Sequence, residues 1–250
     1  MTQIQFGVGT AIGRRTDISN PTPAFLGILQ DIDVSIDQTL KELMGAYKMP
    51  VDVAPAALKI TGKAKLAKIQ ANFMNDTLLG ETITTASGVA MAVGEAGTIP
   101  ASSVYTVVVT HSATFVNDLG VFYASSGAQL KCVASGPTVG QYSVSAGTYT
   151  FAAADAGLAV TIYYDYTVTT LNQISGVNQL MGSGPSFELN LQNTYKNNAG
   201  TTNSLYIKLN ACRSSKLSLP FKNGDYLIQE FDFTAFADQS NNWGSISTTE

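Results

Sequence analysis

The sequence predicts a mainly β protein: a β core with one flanking helix, into which a small immunoglobulin-like β-sandwich is inserted. Three observations carry the prediction. Charged residues make up only 13% of the 250-residue chain, glycine numbers 22, and Ser, Thr, Val and Ala are abundant, a composition that favours strands and turns. Several stretches alternate apolar and polar side chains with a period of two. Between residues 104 and 168, short strand-like runs recur at near-regular spacing between Gly, Ser and Asn turns, as they do in a sandwich.

Residues 1–24 hold Gly7, Gly9, Gly13, Pro21 and Pro23 with few large apolar groups, and read as an extended arm over the surface or a neighbour. The run Gly7–Gly13 lacks both the spacing and the preceding strand of a nucleotide fingerprint. From Gln30 to Leu40, Ile32, Val34 and Ile36 alternate with Asp31, Asp33, Ser35 and Asp37, giving a strand with one dry face and one anionic face. A row of like charges repels itself, so such a face points to a use for its field. The same acids, with Thr39 and Glu42, match the ligand positions of a calcium loop. Ile36, however, stands where that loop needs glycine, and no helix precedes it, so the strand is preferred.

Residues 39–53, followed closely by Pro55, read as a long ordered loop, the kind of segment that often forms contacts. Leu58, Ile60 and Gly62 then alternate with Lys59, Thr61 and Lys63 in a strand with a basic outer face. Leu66, Ile69, Phe73, Met74 and Leu78 follow helical spacing, with Gly80 as the C-cap. Lys59, Lys63, Lys65 and Lys68 lack the interleaved aromatics of a base-stacking platform.

Within the insert, strands are expected at Val104–Val109, Gly120–Tyr123, Leu130–Val133, Gln141–Val144, Tyr149–Phe151 and Ala159–Val168, with a tight turn at Ala153–Gly157. Past Thr170 the first pattern returns. Phe187, Leu189 and Leu191 alternate with polar residues, and so does Leu205–Asn210, with a turn at Asn197–Gly200 between them. Near the end Tyr226, Phe231, Phe233 and Phe236 interleave with Glu230, Asp232 and Asp238. The predicted organisation is a first core segment over 1–80, an inserted domain over 81–170 and a second core segment over 171–250.

A net charge of −4 and a pI near 5.0 disfavour loose binding to DNA. No stretch reaches the roughly 18 unbroken apolar residues of a membrane helix, and no basic-then-apolar leader opens the chain, so neither a membrane span nor signal-peptide export is expected. Cys132 and Cys212 lie in strand-like runs and are expected as buried, reduced thiols. With a single histidine they close no structural zinc site, so neither metal nor cofactor is expected. His111, beside Ser112 and seven residues before Asp118, reads as a strand-end polar residue rather than part of a triad. Asp31, Asp33 and Asp37 point the same way from one strand, whereas glycosidase acids flank a bond from two sides, so no enzyme is expected.

Three stretches resemble the tail tube (major tail) proteins of long-tailed bacteriophages: Asp33–Gly45, Ala57–Ile69 and Phe231–Asp238 with the Ser/Asn/Gly tail that follows. Gly140–Val144 and Tyr149–Gly157 are similar to modules found in such proteins. The resemblance implies a β-sandwich core with one flanking helix, closing into hexameric rings whose pooled strands form one barrel. Stacked rings make a hollow tube for DNA ejection into the host. It further implies self-association and contacts with tape measure, tail terminator and distal tail or baseplate proteins. Genomic DNA would pass without sequence-specific binding, and the protein would be made in the bacterial cytoplasm and reside in the virion. Under it, Asp31, Asp33, Ser35 and Asp37 are candidates to line the bore. Leu40, Leu43, Met44, Tyr47, Met49, Lys59, Lys63, Lys65, Phe231, Phe233 and Phe236 are candidates for inter-subunit or inter-ring contacts. An exterior inserted domain leaves little room for a sheath, which favours a non-contractile tail of the Siphoviridae kind. Two alternatives stay open: a carbohydrate-binding or adhesion module using Tyr105, Phe122, Tyr123, Tyr163 and Tyr164, and the tube of a bacterial secretion or injection machine.

Overall fold

The computed structural model describes residues 7–196 and 200–249. The protein is mainly β. In chain order it contains β1 (Thr10–Arg15), β2 (Ala24–Phe25), β3 (Leu29–Met44), β4 (Pro50–Leu66), a one-turn helix α1 (Ala71–Met74), a π-helical turn (Asn75–Leu79) and β5 (Thr82–Thr84). There follow β6 (Gly88–Thr98), β7 (Thr106–Val108), β8 (Phe115–Tyr123), β9 (Lys131–Cys132), β10 (Gln141–Ser145), β11 (Thr148–Phe151) and β12 (Ala159–Val168). The chain ends with β13 (Gln173–Ser175), β14 (Phe187–Lys196), β15 (Thr202–Ser218), β16 (Gln229–Ala235) and β17 (Gly244–Thr248). Two compact units result, one from the residues up to Ile83 together with those from Ile174 onward, the other spanning Thr84–Gln173. The sequence-based boundaries stood at 80/81 and 170/171.

The first unit is built on one antiparallel sheet of order β2-β1-β14-β15-β16-β4-β3, with β17 added beside the first half of β15. Its strands alternate as their sequences dictate. Phe187, Leu189 and Leu191 of β14, Ile60, Ala64 and Leu66 of β4, and Phe231 and Phe233 of β16 all enter one core, although they come from distant strands of the sheet. Full burial of each large side chain contributes about 1.5–3 kcal/mol. Phe73 of α1 meets Phe231 edge to face, with ring centroids 5.2 Å apart, and this contact fixes the helix against the sheet.

Gly62 is central to the packing. A β-carbon there would lie 2.3 Å from the Phe233 ring, so the missing side chain is what lets the phenyl cover the middle of β4.

Three expectations are corrected in this unit. Residues 10–15 are no arm: β1 pairs in register with β14, from Thr10 opposite Gln192 to Arg15 opposite Phe187. Its core-facing residues are Ala11 and Gly13, too small to give a hydrophobic signal, and Leu26 fills the space over Gly13. The helix is shorter than predicted, since Leu66 still belongs to β4. Its regular turns end where Thr77 Oγ1 donates to the Phe73 carbonyl (2.8 Å) and the Asn75 amide turns away to bond both main-chain groups of Glu81. Gly80 caps the π turn at φ 65°, donating its N–H to the Asn75 carbonyl. Residues 39–53 are not one long loop: 39–44 continue β3, 50–53 begin β4, and residues 45–49 turn between them. The turn predicted at Asn197–Gly200 falls, but for Gly200, outside the described residues.

In the second unit, β6-β12-β8 form one antiparallel sheet and β7-β11-β10-β9 another, with β9 parallel to β10. Each predicted run carries a strand, and β6 adds one in the small-residue segment that gave no clear period. Both sheets feed one core, with Val121, Val160, Ile162 and Tyr164 from the first and Tyr142, Tyr149 and Phe151 from the second. Asp118 on β8 accepts hydrogen bonds from Tyr142 on β10 and from Tyr149 on β11 (2.9 Å) and so links the sheets. The fully buried Asp155, in the turn after β11, accepts from Tyr123 (2.8 Å) and from the Gly140 N–H (3.1 Å). Glu95 accepts from Tyr164 and from both the N–H and hydroxyl of Thr110. Each buried tyrosine thus carries its hydroxyl to a carboxylate, as burial of a polar group requires.

Candidate assembly surface

β3 and β4 form a hairpin much longer than the sheet that roots it. Their pairing runs from Leu29 opposite Leu66 to Met44 opposite Pro50. β16, the other neighbour of β4, pairs only with residues 60–66. Beyond Lys59 the hairpin is a two-stranded ribbon reaching roughly 25 Å at a strand's rise per residue. Residues 36–59 are exposed on both faces, apart from half-buried Pro50.

Prolines did not prevent this. Pro50 opens β4, and Pro55 sits beside a bulge at Ala56, on a stretch with a single paired neighbour. Thr39 closes the bulge by accepting from the Ala57 N–H at 3.0 Å.

The ribbon is apolar where its exposure would favour polar residues. Leu40, Leu43, Met44, Tyr47, Met49, Val51 and Val53 are all exposed, Tyr47 by 86% and Met49 by 77%. Five of these are the hairpin residues singled out from the sequence. A two-stranded ribbon has no core to bury them in, and a contiguous exposed apolar surface marks an interaction site.

At the root of the hairpin, cross-strand register decides the electrostatics. Asp31 stands opposite Lys65, Asp33 opposite Lys63, and Asp37 opposite Lys59. On the far side of β4, Glu230 and Asp232 of β16 again face Lys65 and Lys63. β15 then sets Lys216 opposite Asp232 and Arg213 opposite Thr234. The outward face is therefore four columns of alternating sign rather than a wall of acids. The repulsion expected along β3 is offset by the lysine column 5 Å away across the strands, and Lys65 lies 4.0 Å from Asp31 and 3.9 Å from Glu230. These pairs are half exposed, so each is worth about 0–1 kcal/mol. Lys59, Lys63 and Lys65 share this face with the acids and make no separate basic patch.

Phe231 and Phe233, expected at a contact surface, are 1% exposed and belong to the core. They occupy the inward positions between Glu230, Asp232 and Thr234. Phe236 follows the end of β16, remains 41% exposed, and lies under the Arg213 guanidinium at 5.9 Å. A polar groove of about 740 Å³ adjoins it, lined among others by Asp17, Glu188, Lys208, Asn210 and Asp238. Burial opposes the charge on Glu188, but the Asn190 amide (2.7 Å), Lys208 (3.4 Å) and Arg14 (3.2 Å) outweigh it and hold the carboxyl below its ordinary value.

Other sequence candidates do not converge. Residues 31–42 run as an extended strand, and among the described residues no group of three or more His, Cys, Asp or Glu could hold a metal ion. His111 stacks on Tyr166 with ring centroids 3.9 Å apart, whereas Asp118 is hydrogen-bonded to Tyr142 and Tyr149. Cys212 is buried and its thiol is pushed up to about 12 by that burial. Cys132, expected inside, is exposed because β9 is a two-residue edge strand. Of the aromatics considered for a sugar site, Tyr164 is buried and Tyr105 packs against the core. Phe122, Tyr123 and Tyr163 line a shallow groove of about 550 Å³ with Met91 and Leu119. Comparison with known proteins finds no matching family model and no matching curated protein.

Proposed function

We propose that this chain is a structural virion protein that assembles into stacked hexameric rings, forming the hollow tail tube of a long-tailed bacteriophage. The observation that carries the reading is the ribbon of residues 36–59, whose apolar side chains on both faces are left exposed among the described residues. A neighbouring ring supplies such cover. The first unit, a β-sandwich rolled toward a barrel, contributes strands to the ring, and the ribbon reaches into the next ring. The outward face of β3, β4 and β16 lines the bore. There Lys59, Lys63 and Lys65 each have an acid directly opposite, so passing DNA meets no row of unpaired cations and slides without sticking. The unit at 84–173, read as an immunoglobulin-like sandwich, decorates the exterior and suits a non-contractile tail. Tape measure, terminator and distal tail proteins are the expected further partners, and no catalytic role is assigned.

The test is electron microscopy of the concentrated protein alongside a variant with residues 41–54 replaced by a short turn. Rings and tubes from the natural chain, with unstacked rings from the variant, are expected. A chain that stays monomeric at every concentration in ultracentrifugation, with a protease-sensitive hairpin, overturns the proposal. The groove beside Phe122 and Tyr163 supports a second reading, glycan binding by the inserted unit, which a glycan array tests directly.

A further inference from the structure

The four charge columns end on two strands that each have an open side. Among the described residues β3 is the last strand of its sheet and pairs with β4 alone. β15 pairs with β14 no further than Cys212, so among the described residues its segment 213–218 has β16 on one side and no strand on the other. One open edge presents Asp31, Asp33 and Asp37, and the other presents Arg213 and Lys216. Of the two ion pairs at Lys65, one reaches Asp31 on the β3 edge and the other, to Glu230, lies between the inner columns. Among the described residues, no ion pair within 4.0 Å involves Asp33, Asp37, Arg213 or Lys216.

We propose that the β3 edge of one copy pairs with the 213–218 edge of a second copy, setting the acids of β3 beside Arg213 and Lys216. Three properties converge on this occupant. The run β3-β4-β16-β15 reads acid, base, acid, base, so a second copy placed head to tail continues the alternation across the join. The run has an even number of antiparallel strands, so the same placement keeps neighbouring strands antiparallel at the join. Finally, it satisfies the backbone groups that both edges leave open, which an exposed edge of this length would otherwise present to any chain. A head-to-tail contact uses two different patches of each copy and therefore propagates, as a ring or filament requires. The inference rests on the assembly reading above and specifies its lateral join.

The experiment is carbodiimide cross-linking, which joins a carboxylate to an adjacent amine, on assemblies grown from equal amounts of unlabelled and nitrogen-15-labelled protein. Peptides of β3 joined to the Lys216 peptide with mixed labelling are expected. Assemblies whose mixed-label products omit that pair overturn this join and leave the assembly reading standing, whereas protein that never assembles removes both. In parallel, R213Q/K216Q removes the cations without setting a like charge against Asp232. Its circular dichroism is expected to match the natural chain, and its critical concentration for assembly to rise about tenfold, the effect of losing about 1.4 kcal/mol. An unchanged critical concentration in the folded variant counts against the join.

Discussion

Single residues set the packing here by what they omit as much as by what they add. Gly62 lets the Phe233 ring approach β4 closely, and a methyl group at that position meets the ring and the Asp33 carbonyl at once. Gly62→Ala is expected to cost about 1–3 kcal/mol, the usual effect of overpacking, read as a lower urea midpoint with an unchanged slope. Phe231→Ala empties the space between Phe73 and Phe233 and should cost about 3–5 kcal/mol in the same assay. In the second unit, Asp118→Ala strands two tyrosine hydroxyls at once. Each unsatisfied buried donor costs about 1–3 kcal/mol, so a fall in the unit's melting temperature is expected, whereas Asp37→Ala on the exposed edge should leave it unchanged. The limits of the sequence also lie at this scale. Phe231 and Phe233 alternate with acids in a way that shows one face is apolar, but alternation cannot say whether that face meets the chain's own core or a neighbour. Register alone settles it, and register is a property of strands far apart in sequence.

At the scale of elements, period-two patterning made most strands legible, because each has one dry face. It failed at β1 and β6, whose inward positions are filled by Ala and Gly, and at the distal hairpin, where both faces are apolar and prolines suggested a loop. It also could not place Lys59, Lys63 and Lys65 opposite the acids of β3, which required knowing that the two strands pair antiparallel from Leu29 to Met44. The tyrosine–carboxylate links between and within the sheets of the second unit make a titration prediction. Burial, and then the bond to Glu95, push the Tyr164 hydroxyl from its ordinary 10.0 up to about 12. A raised value means the folded form resists ionisation. The stabilisation is whole below pH 10 and is lost as pH climbs toward 12. Tyrosinate absorbance should therefore lag in the native protein and appear together with loss of structure. Glu188 runs the other way. Held below its ordinary 4.5 by Asn190, Lys208 and Arg14 despite burial, it stabilises the fold above that value and ceases to do so as pH falls through its lower, folded value. Glu188→Gln should flatten the acid limb of a stability–pH curve.

For the molecule as a whole, the contrast is between two well-filled cores and a ribbon that belongs to neither. The cores explain how the chain folds as a single copy, and the ribbon is the part that neither core covers. Its apolar tip, from Leu40 to Val53, carries a hazard of timing. Fresh copies leave the ribosome with this surface bare, so under the proposed assembly every one made before a growing end is available is a seed for disordered clumping. Overproduction without a nucleating partner should therefore fill a cell with either spontaneous polymers or inclusion bodies, and trimming Tyr47 and Met49 to serine should return the protein to the supernatant.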